Sequence, residues 1–452
     1  MSYDIVTQSL FNFDSKLIII EPFNQIETIN NNLVRVIYVQ REFEEFACPS
    51  CGKMVSRVKE YKKKDVRVYF DCLGEVIIRY RQRRLKCDCG KTFPEVTPLV
   101  AKNKSISNSV RLQILNLCKK VISFKTIAEM LHISSSSVIN TFMEVANFDR
   151  QPLGEIISVD EFSYVVNGKT QYAFVIGNPM TRQLIDILPS RKQDDIEEYF
   201  SKISYEERLN VKYATMDMWK GYIKSIKKFF PNAIIAVDPF HWTRLITNAI
   251  HKVRRKVHEE NIPKISYLTK KYWRCFSKRD NELSEIKTYN YTLKAKCSIR
   301  DIVEVCINSD EVFEESWVAL QDFYKIVDLK APEIVRIKLG EWIRKIKSSN
   351  LEEMKKVANS YTEYFEYIIN SFKKISIGND SFIRLTNAFI EGKNKLCKDI
   401  IQIGCGYNNF WILRARILYI SANGELTFRA DDEKKRIKHQ NLKFKKRKIK
   451  NR

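Results

Sequence analysis

The sequence lacks the features that would place it in three common functional classes. No apolar stretch is long enough to span a membrane, and residues 1–17 have neither the basic nor the apolar region of a signal peptide. Only five histidines are present, and Ser, His and Asp are not arranged for acyl transfer. Two Gly-Lys-Thr triplets resemble the end of a phosphate loop, but Leu85 and Ser163 stand where that loop needs its first glycine. A membrane protein, a serine hydrolase and a nucleotide triphosphatase are therefore not indicated.

Positive charge is what the chain has in excess. Its 452 residues carry a formal net charge of +24, which predicts a polyanionic partner, nucleic acid rather than a membrane. The hydrophobic fraction of 44% is enough for real cores, and the length predicts two to four structural units. Eleven cysteines in a chain without a secretion signal indicate a reducing cytoplasm, with some of the cysteines bound to metal.

Four cysteines form two knuckles, each followed by glycine. Cys48 and Cys51 are separated by two residues, and Cys87 and Cys89 by one. Two such knuckles can complete a tetrahedral sulfur cage, so we expect a zinc-ribbon-like unit that binds Zn²⁺. The Cys-x-Cys spacing is tighter than usual and predicts strained geometry; reduced free cysteines are the alternative. Cys72 has no partner motif and is expected to be buried.

The residues between and around the knuckles predict strands and a basic face. Apolar alternation predicts strands at 66–70 and 76–80. Beside the second knuckle, basic residues could follow the phosphates of a nucleic acid: Arg79, Arg81, Arg83, Arg84, Lys86 and Lys91.

A helix-turn-helix pattern follows the cysteines. Apolar residues at helical spacing run from 110 to 121, a short helix is predicted at 124–131, and residues 132–134 form the turn. The next helix would enter the major groove of DNA and present Ser135, Ser136 and Asn140. A three-helix unit that serves only for packing is the alternative.

The middle of the chain predicts a mixed sheet. Three antiparallel strands, with an Asn-Gly turn after the first, precede alternating helices and strands. This order is typical of a ribonuclease-H-like fold, in which the first and fourth strands are neighbours. The predicted strands are 155–162, 172–177, 184–188, 211–216 and 233–237; the predicted helices are 193–203, 219–229 and a long one from 240.

Three acids stand where such a fold would hold metal ions. Asp160 and Asp217 each end an apolar run and should come side by side at adjacent strand ends, and Glu391 lies within a predicted helix. A carboxylate at the end of a buried strand is costly to desolvate unless it is paired or binds a cation such as Mg²⁺. A turn or capping role is the alternative for any one of them. Asp238 is the rival for the second position; with His241 it could support the site or contact DNA, or it could cap a helix beside a surface histidine.

As a set, these motifs resemble the ISL3 family of bacterial insertion-sequence transposases. The resemblance rests on the knuckles, the helix-turn-helix, and five segments: Ser158-Val159-Asp160-Glu161, Met216-Asp217-Met218-Trp219, Val237-Asp238-Pro239-Phe240-His241, Asn387-Ala388-Phe389-Ile390-Glu391-Gly392-Lys393-Asn394 and Cys405-Gly406-Tyr407-Asn408-Asn409-Phe410. It implies a DDE transposase with Asp160, Asp217 and Glu391 as the catalytic triad, dependent on Mg²⁺ or Mn²⁺. Two-metal cleavage and strand transfer of an element with terminal inverted repeats are the implied chemistry.

On the Glu391 helix, Asn387 and Lys395 lie one turn to either side on the same face, and Lys395 could steady the scissile phosphate unless it is only a surface lysine. The implied partners are double-stranded DNA, as element ends and target, and a second copy of the chain in a homodimer or higher oligomer. The implied place of action is the nucleoid of a bacterial cytoplasm. A DNA-binding regulator derived from a transposase, or a nuclease without strand transfer, are the alternatives.

We therefore predict a multidomain protein that combines α+β and α/β parts. The predicted regions are 1–104 with a zinc-binding unit at about 46–98, a helix-turn-helix at 105–150, a ribonuclease-H-like catalytic domain in two parts at 151–257 and 382–425, a helical insertion at 258–381, and a basic tail at 426–452.

Overall fold

A computed structural model describes most of the chain. The described residues are 17–20, 25–29, 32–70, 74–97, 99–100, 106–146, 149–260, 262–376 and 382–422. Cys72 and the predicted basic tail lie outside them. The chain divides into two compact units, one formed by residues 1–148 and 399–452, the other by residues 149–398. The predicted six-part division is finer than this and stays a prediction.

A six-stranded sheet forms the first part of unit one. Valines, isoleucines and a tyrosine at alternate positions, such as Ile37, Val39, Ile78 and Tyr80, bury one face of it. The strands are β1 Leu17–Ile19, β2 Gln25–Ile29, β3 Asn32–Arg41, β6 Val58–Phe70, β7 Gly74–Lys86 and β8 Thr92–Pro94, and the separate hairpin is β4 Phe46–Ala47 with β5 Met54–Val55. The order in the sheet is β1-β3-β7-β6, with β2 on β3 and β8 on β7; β3 and β7 run parallel, and the other pairs are antiparallel.

Three helices follow, each capped by a serine hydroxyl that accepts a backbone N–H: α1 Asn108–Cys118, α2 Phe124–Met130 and α3 Ser135–Val145. Helix α15, Phe410–Ser421, packs against α1 and α3. Its Arg416 is fully buried and donates to the carbonyl oxygens of Lys120 (3.0 Å) and Ile122 (2.9 Å). The guanidinium also lies over the rings of Phe124 and Phe142, so residues almost three hundred positions apart share one small core.

Unit two is built around a five-stranded sheet. The strands are β9 Ile156–Val166, β10 Lys169–Asn178, β11 Gln183–Leu188, β12 Tyr213–Met216 and β13 Ile234–Val237. Their order is β11-β10-β9-β12-β13; the first three are antiparallel, and β12 runs parallel to both β9 and β13. Asn167 and Gly168 both have positive φ, as the predicted tight turn requires. The predicted strands are confirmed, with β9 and β10 longer than expected.

Helices surround this sheet. Their apolar faces meet in an aromatic group in which Phe323 contacts Trp242, Trp342 and Tyr361, and the Tyr361 hydroxyl donates to the Trp242 carbonyl at 2.7 Å. The helices are α4 Gln193–Ser201, α5 Tyr205–Leu209, α6 Lys220–Phe229, α7 Pro239–Glu260, α8 Pro263–Lys271, α9 Ile299–Ile307, α10 Glu311–Asp328, α11 Pro332–Ser348, α12 Glu352–Glu363, α13 Phe365–Asn370 and α14 Ala388–Ile403. Two hairpins interrupt them, β14 Thr288–Asn290 with β15 Ala295–Cys297, and β16 Lys374–Ser376 with β17 Phe382–Arg384. No helix in the described ranges has the length and apolarity needed to cross a membrane.

Candidate active site and cysteine cluster

The register of the sheet places Asp160 beside Asp217. The last residue pair of β9 and β12 is Ser158 with Thr215, whose hydroxyl oxygens lie 2.7 Å apart, and each acid follows two residues later. The sequence predicted that Asp160 would stand at the end of its strand, but the structure places it within β9. Strand β9 continues beyond the end of β12 because it pairs there with β10, so that Asp160 lies opposite Val175. The two acids therefore meet where β12 stops and β9 does not.

Asp160 is almost completely buried, with 7% of its surface exposed. Its Oδ1 accepts from the backbone N–H of Glu161 at 2.7 Å, and its Oδ2 accepts from Nδ2 of Asn394 at 2.6 Å. Burial, reinforced by the negative charge of Asp217, raises the pKa of the Asp160 carboxyl to about 7. An ionised Asp160 is therefore destabilised until a cation compensates it.

Asn387 connects three strands to the beginning of α14. Its side-chain Nδ2 donates to the carbonyl oxygen of Val159 at 3.1 Å and to Oδ1 of Asp217 at 3.2 Å. Its backbone N–H donates to Oδ2 of Asp238. Asn387, Glu391 and Asn394 follow at spacings of four and three, so they share one face of the helix. The side-chain Oδ1 atoms of both asparagines are buried and have no hydrogen-bond partner among the described residues.

Asp238 caps two helices, whereas His241 pairs with Asp217. Asp238 is buried, and its two oxygens accept from the backbone N–H groups of Phe240 (2.8 Å) and Asn387, at the beginnings of α7 and α14. It is a capping residue for both helices. His241 Nε2 lies 3.0 Å from Oδ1 of Asp217, and this hydrogen bond raises the pKa of the imidazole. Asp238 is therefore the helix-capping residue that one interpretation of the sequence expected. His241 is not the unengaged surface histidine of that interpretation, because it is paired with Asp217.

Glu391 lies near Asp217 and Asp238 on the exposed side of the site. Its side chain is exposed, and its pKa is raised by partial burial and by the charges of Asp238 and Asp217. Hydrogen bonds join Asp217, Asp238, His241 and Asn387 into one set. Asp160 is held separately by Asn394 and lies within electrostatic reach of Asp217, and Glu391 lies within electrostatic reach of Asp217 and Asp238. Lys395 is exposed and makes no hydrogen bond or ion pair with the set in the described part of the chain.

Asn394 was missed at the sequence level, although it holds Asp160 directly. It is buried and also donates to the carbonyl oxygen of Glu161 at 3.2 Å. Its spacing of three from Glu391 was the signal that could have identified it, since residues three apart on a helix lie side by side.

The four cysteines of the knuckles converge. Sγ of Cys48 lies 3.7 Å from Sγ of Cys89, Sγ of Cys51 lies 3.5 Å from Sγ of Cys87, and all four sulfurs lie within 4.8 Å of one another. Four Zn–S bonds of about 2.3 Å in a tetrahedron would give S···S distances of about 3.8 Å. The cluster could therefore hold a zinc ion, and the short second knuckle does not prevent convergence.

The residues predicted to contact DNA differ in how exposed their side chains are. On α3, Ser136 and Asn140 are exposed one turn apart, whereas Ser135 is half-buried. On β7, Arg81 is exposed over the ring of Tyr61, and Arg84 is half-buried and pairs with Glu60.

The prediction that Arg83 contacts DNA is wrong, because its side chain is buried. Its guanidinium is bound to Glu95 and to the carbonyl oxygens of Arg41 and Glu42, so it is not available to a phosphate.

Comparison with known proteins agrees with the geometry. The sequence model of the ISL3 family, described as a transposase, matches residues 157–417, which is more than half of the chain. The chain belongs to the ISL3 family of transposases. It is also similar to the transposase for insertion sequence element IS1001 of Bordetella parapertussis, with 20% identity over 407 residues that cover 85% of this chain and 91% of the relative. Membership in this DDE transposase family implies a DNA-processing enzyme that acts on DNA and uses a divalent metal.

Proposed function

We propose that this transposase binds the terminal inverted repeats of an insertion sequence and catalyses their Mg²⁺-dependent cleavage and strand transfer. In this proposal unit two is a ribonuclease-H-like catalytic domain, which its strand order β11-β10-β9-β12-β13 supports. The catalytic acids are Asp160, Asp217 and Glu391. Bound divalent ions would activate the attacking water or 3′-hydroxyl and stabilise the leaving oxygen.

The observation that carries the proposal is that no lysine or arginine pairs with these acids in the described part of the chain. Although the chain has 78 lysines and arginines, none pairs with Asp160, Asp217, Asp238 or Glu391 among the described residues. The adjacent Glu161, by contrast, pairs with Arg191 and accepts from the hydroxyl of Tyr222. A cluster of acids left without lysine or arginine in so basic a chain fits a site that is neutralised by metal ions.

The donor set also fits Mg²⁺, which prefers oxygen ligands. Carboxylate oxygens of Asp160, Asp217 and Glu391 would hold the ions. The Oδ1 atoms of Asn387 and Asn394, which have no partner within the described ranges, are further oxygen acceptors that metal-bound water could use. His241 steadies Asp217 through their hydrogen bond, so that it would act through the acid rather than on DNA.

Unit one would recognise the DNA. We propose that α1–α3 form a helix-turn-helix in which Ser136 and Asn140 reach base edges, since both are exposed on one face of α3. Zinc at the cysteine cluster would fix the two knuckles and thereby stabilise this unit. Arg81 would contact the phosphate backbone. Homodimer formation stays a prediction.

The test is cleavage of DNA that carries the inverted repeats flanking the gene. Purified full-length protein and Mg²⁺ should release a 3′-hydroxyl at the element end and join it to target DNA. Glu391→Gln should abolish both reactions, and Asp195→Asn, which changes an exposed acid on α4 outside the site, should leave them intact. Cleavage without joining would favour the nuclease alternative. Binding of the ends without any cleavage by the wild type would favour the regulator.

A further inference from the structure

The hairpin formed by β14 and β15 exposes two aromatic rings. Tyr291 at its tip is 85% exposed and Tyr289 is 53% exposed, and their ring centroids lie 5.1 Å apart. Tyr289 stands directly opposite Lys296 in the register. Two adjacent aromatic rings exposed in this way leave a contiguous apolar area in contact with water, and such areas often indicate a binding surface.

The charge of the hairpin has one sign. Residues 286–298 include Lys287, Lys294 and Lys296 and no acid. The flanking acids are engaged elsewhere: Glu285 pairs with Arg300 at 2.7 Å, and Asp301 closes the capping box of α9. No ion pair involves Lys294 or Lys296 in the part of the chain that the structure describes.

The hairpin is held in place rather than left to move freely. The buried Asn290 accepts from the backbone N–H groups of Thr292 (3.0 Å) and Leu293 (3.1 Å), which fixes the turn. Its Nδ2 donates to the hydroxyl of Tyr272 at 3.3 Å. The strand β15 then leads through a buried Cys297 into α9. The tyrosines and lysines are therefore presented on an ordered support.

We propose that this hairpin is a DNA-binding surface, in which Lys294 and Lys296 contact phosphates and Tyr291 stacks on an unpaired base. The proposal rests on the proposed function and adds a contact to the DNA on which the transposase acts. Aromatic rings beside lysines match single-stranded nucleic acid, whose bases stack and whose phosphates are negative. A contact with a second protein copy is less well supported, because lysine is depleted in protein interfaces.

The first test is the salt dependence of DNA affinity in the full-length protein. The probe is a mixed-sequence duplex of about 30 base pairs with an unpaired overhang of about ten nucleotides at one end, long enough to span a single-strand site. Neutralising two phosphate contacts in Lys294→Gln/Lys296→Gln should reduce the slope of log K against log salt by about 1.4 to 1.8. The matched control Lys338→Gln/Lys355→Gln removes the same charge from lysines that pair with Glu341 and Glu352, and should not change the slope.

The second test separates stacking from charge. Tyr291→Ala should weaken binding of the overhang probe by roughly 5- to 150-fold, whereas Tyr291→Phe should bind as the wild type does, because stacking needs only the ring. Neither change should alter binding of the blunt duplex, and circular dichroism should show unchanged folding because the side chain is exposed.

Unchanged slopes in the lysine variant, or equal overhang binding by Tyr291→Ala and the wild type, would overturn the proposal. So would variants that reduce self-association in sedimentation while binding DNA normally, since the surface would then join protein copies. None of these readings requires cleavage. A wild type that binds the probe but never cleaves element ends would contradict the proposed function and leave the hairpin result standing.

Discussion

Replacing Asp160 by asparagine should stabilise the metal-free protein and abolish its chemistry at the same time. The carboxyl is buried beside Asp217, and no lysine or arginine pairs with it among the described residues. The asparagine side chain would keep the shape of the aspartate and remain neutral. Its new amide N–H could donate to Oδ1 of Asn394 once that side chain rotates, because this Oδ1 has no hydrogen-bond partner among the described residues.

The magnitude follows from the pKa of Asp160. Burial and Asp217 raise it from 3.8 to about 7, and at about 1.4 kcal/mol per pKa unit this corresponds to about 4 kcal/mol. Below pH 3.8 the group is protonated in the folded and unfolded states, so it costs nothing. Between pH 3.8 and about 7 only the unfolded state releases the proton readily, so stability falls as pH rises. Above a pH of about 7 the full cost is present in the wild type and absent in Asp160→Asn.

The assay is hydrogen exchange of peptides from β9, Ile156–Val166, at a pH of about 5 and a pH of about 8, corrected for intrinsic rates. At the higher pH without metal, Asp160→Asn should show the greater protection, and the difference should shrink at the lower pH. Mg²⁺ should protect the wild type and leave the variant unchanged. Asp195→Asn should behave as the wild type throughout.

Two results would refute this reasoning. Equal protection of wild type and Asp160→Asn at the higher pH without metal would mean that the buried carboxylate carries no cost. Cleavage of element ends by Asp160→Asn would mean that the chemistry resides elsewhere, whatever the stability.

Three further outcomes are expected. Cys48→Ser should lower bound zinc, measured by atomic emission, and destabilise unit one, whereas Cys405→Ser, outside the cluster, should retain zinc; full retention by Cys48→Ser would contradict the site. Asn394→Ala should slow cleavage roughly 10- to 100-fold if Asp160 holds metal as proposed, because Asn394 orients that carboxylate. The acid limb of the pH–rate profile should move to higher pH, because Asp160 loses a donor to its ionised form; an unchanged profile would argue against this role. Arg416→Met should destabilise unit one by about 2 kcal/mol, measured by denaturant unfolding, because two buried carbonyl oxygens lose a charged donor; a neutral result would show that removal of the buried charge offsets the lost bonds.

Local sequence signals predicted the elements that form between near neighbours. The Asn167-Gly168 turn and the apolar runs that lead to Asp160 and Asp217 were sufficient to predict the strands of unit two. They were not sufficient to place Asp160 within its strand, because the end of β9 is determined by pairing with β10 on one side and β12 on the other.

Contacts between distant residues could not be predicted. Arg83 looked like a phosphate ligand because its charge is visible in the sequence, but its partner Glu95 is identifiable only once β7 has been paired and one face buried. In the same way, nothing near Arg416 indicates that Lys120 and Ile122 would provide its acceptors. The parallel pairing of β3 with β7 likewise depends on segments that other strands separate.

The position of Glu391 is determined at the beginning of its own helix rather than by the chain that leads to it. Although 173 residues separate it from Asp217, Asn387 is bonded to Val159, Asp217 and Asp238 one turn before it. These bonds fix the first turn of α14 against the middle of β9 and against the residues that follow β12 and β13, so Glu391 follows at a set distance. Asn387 therefore links the beginning of the Glu391 helix directly to Asp217 and Asp238, through hydrogen bonds that the intervening helices and hairpins do not supply.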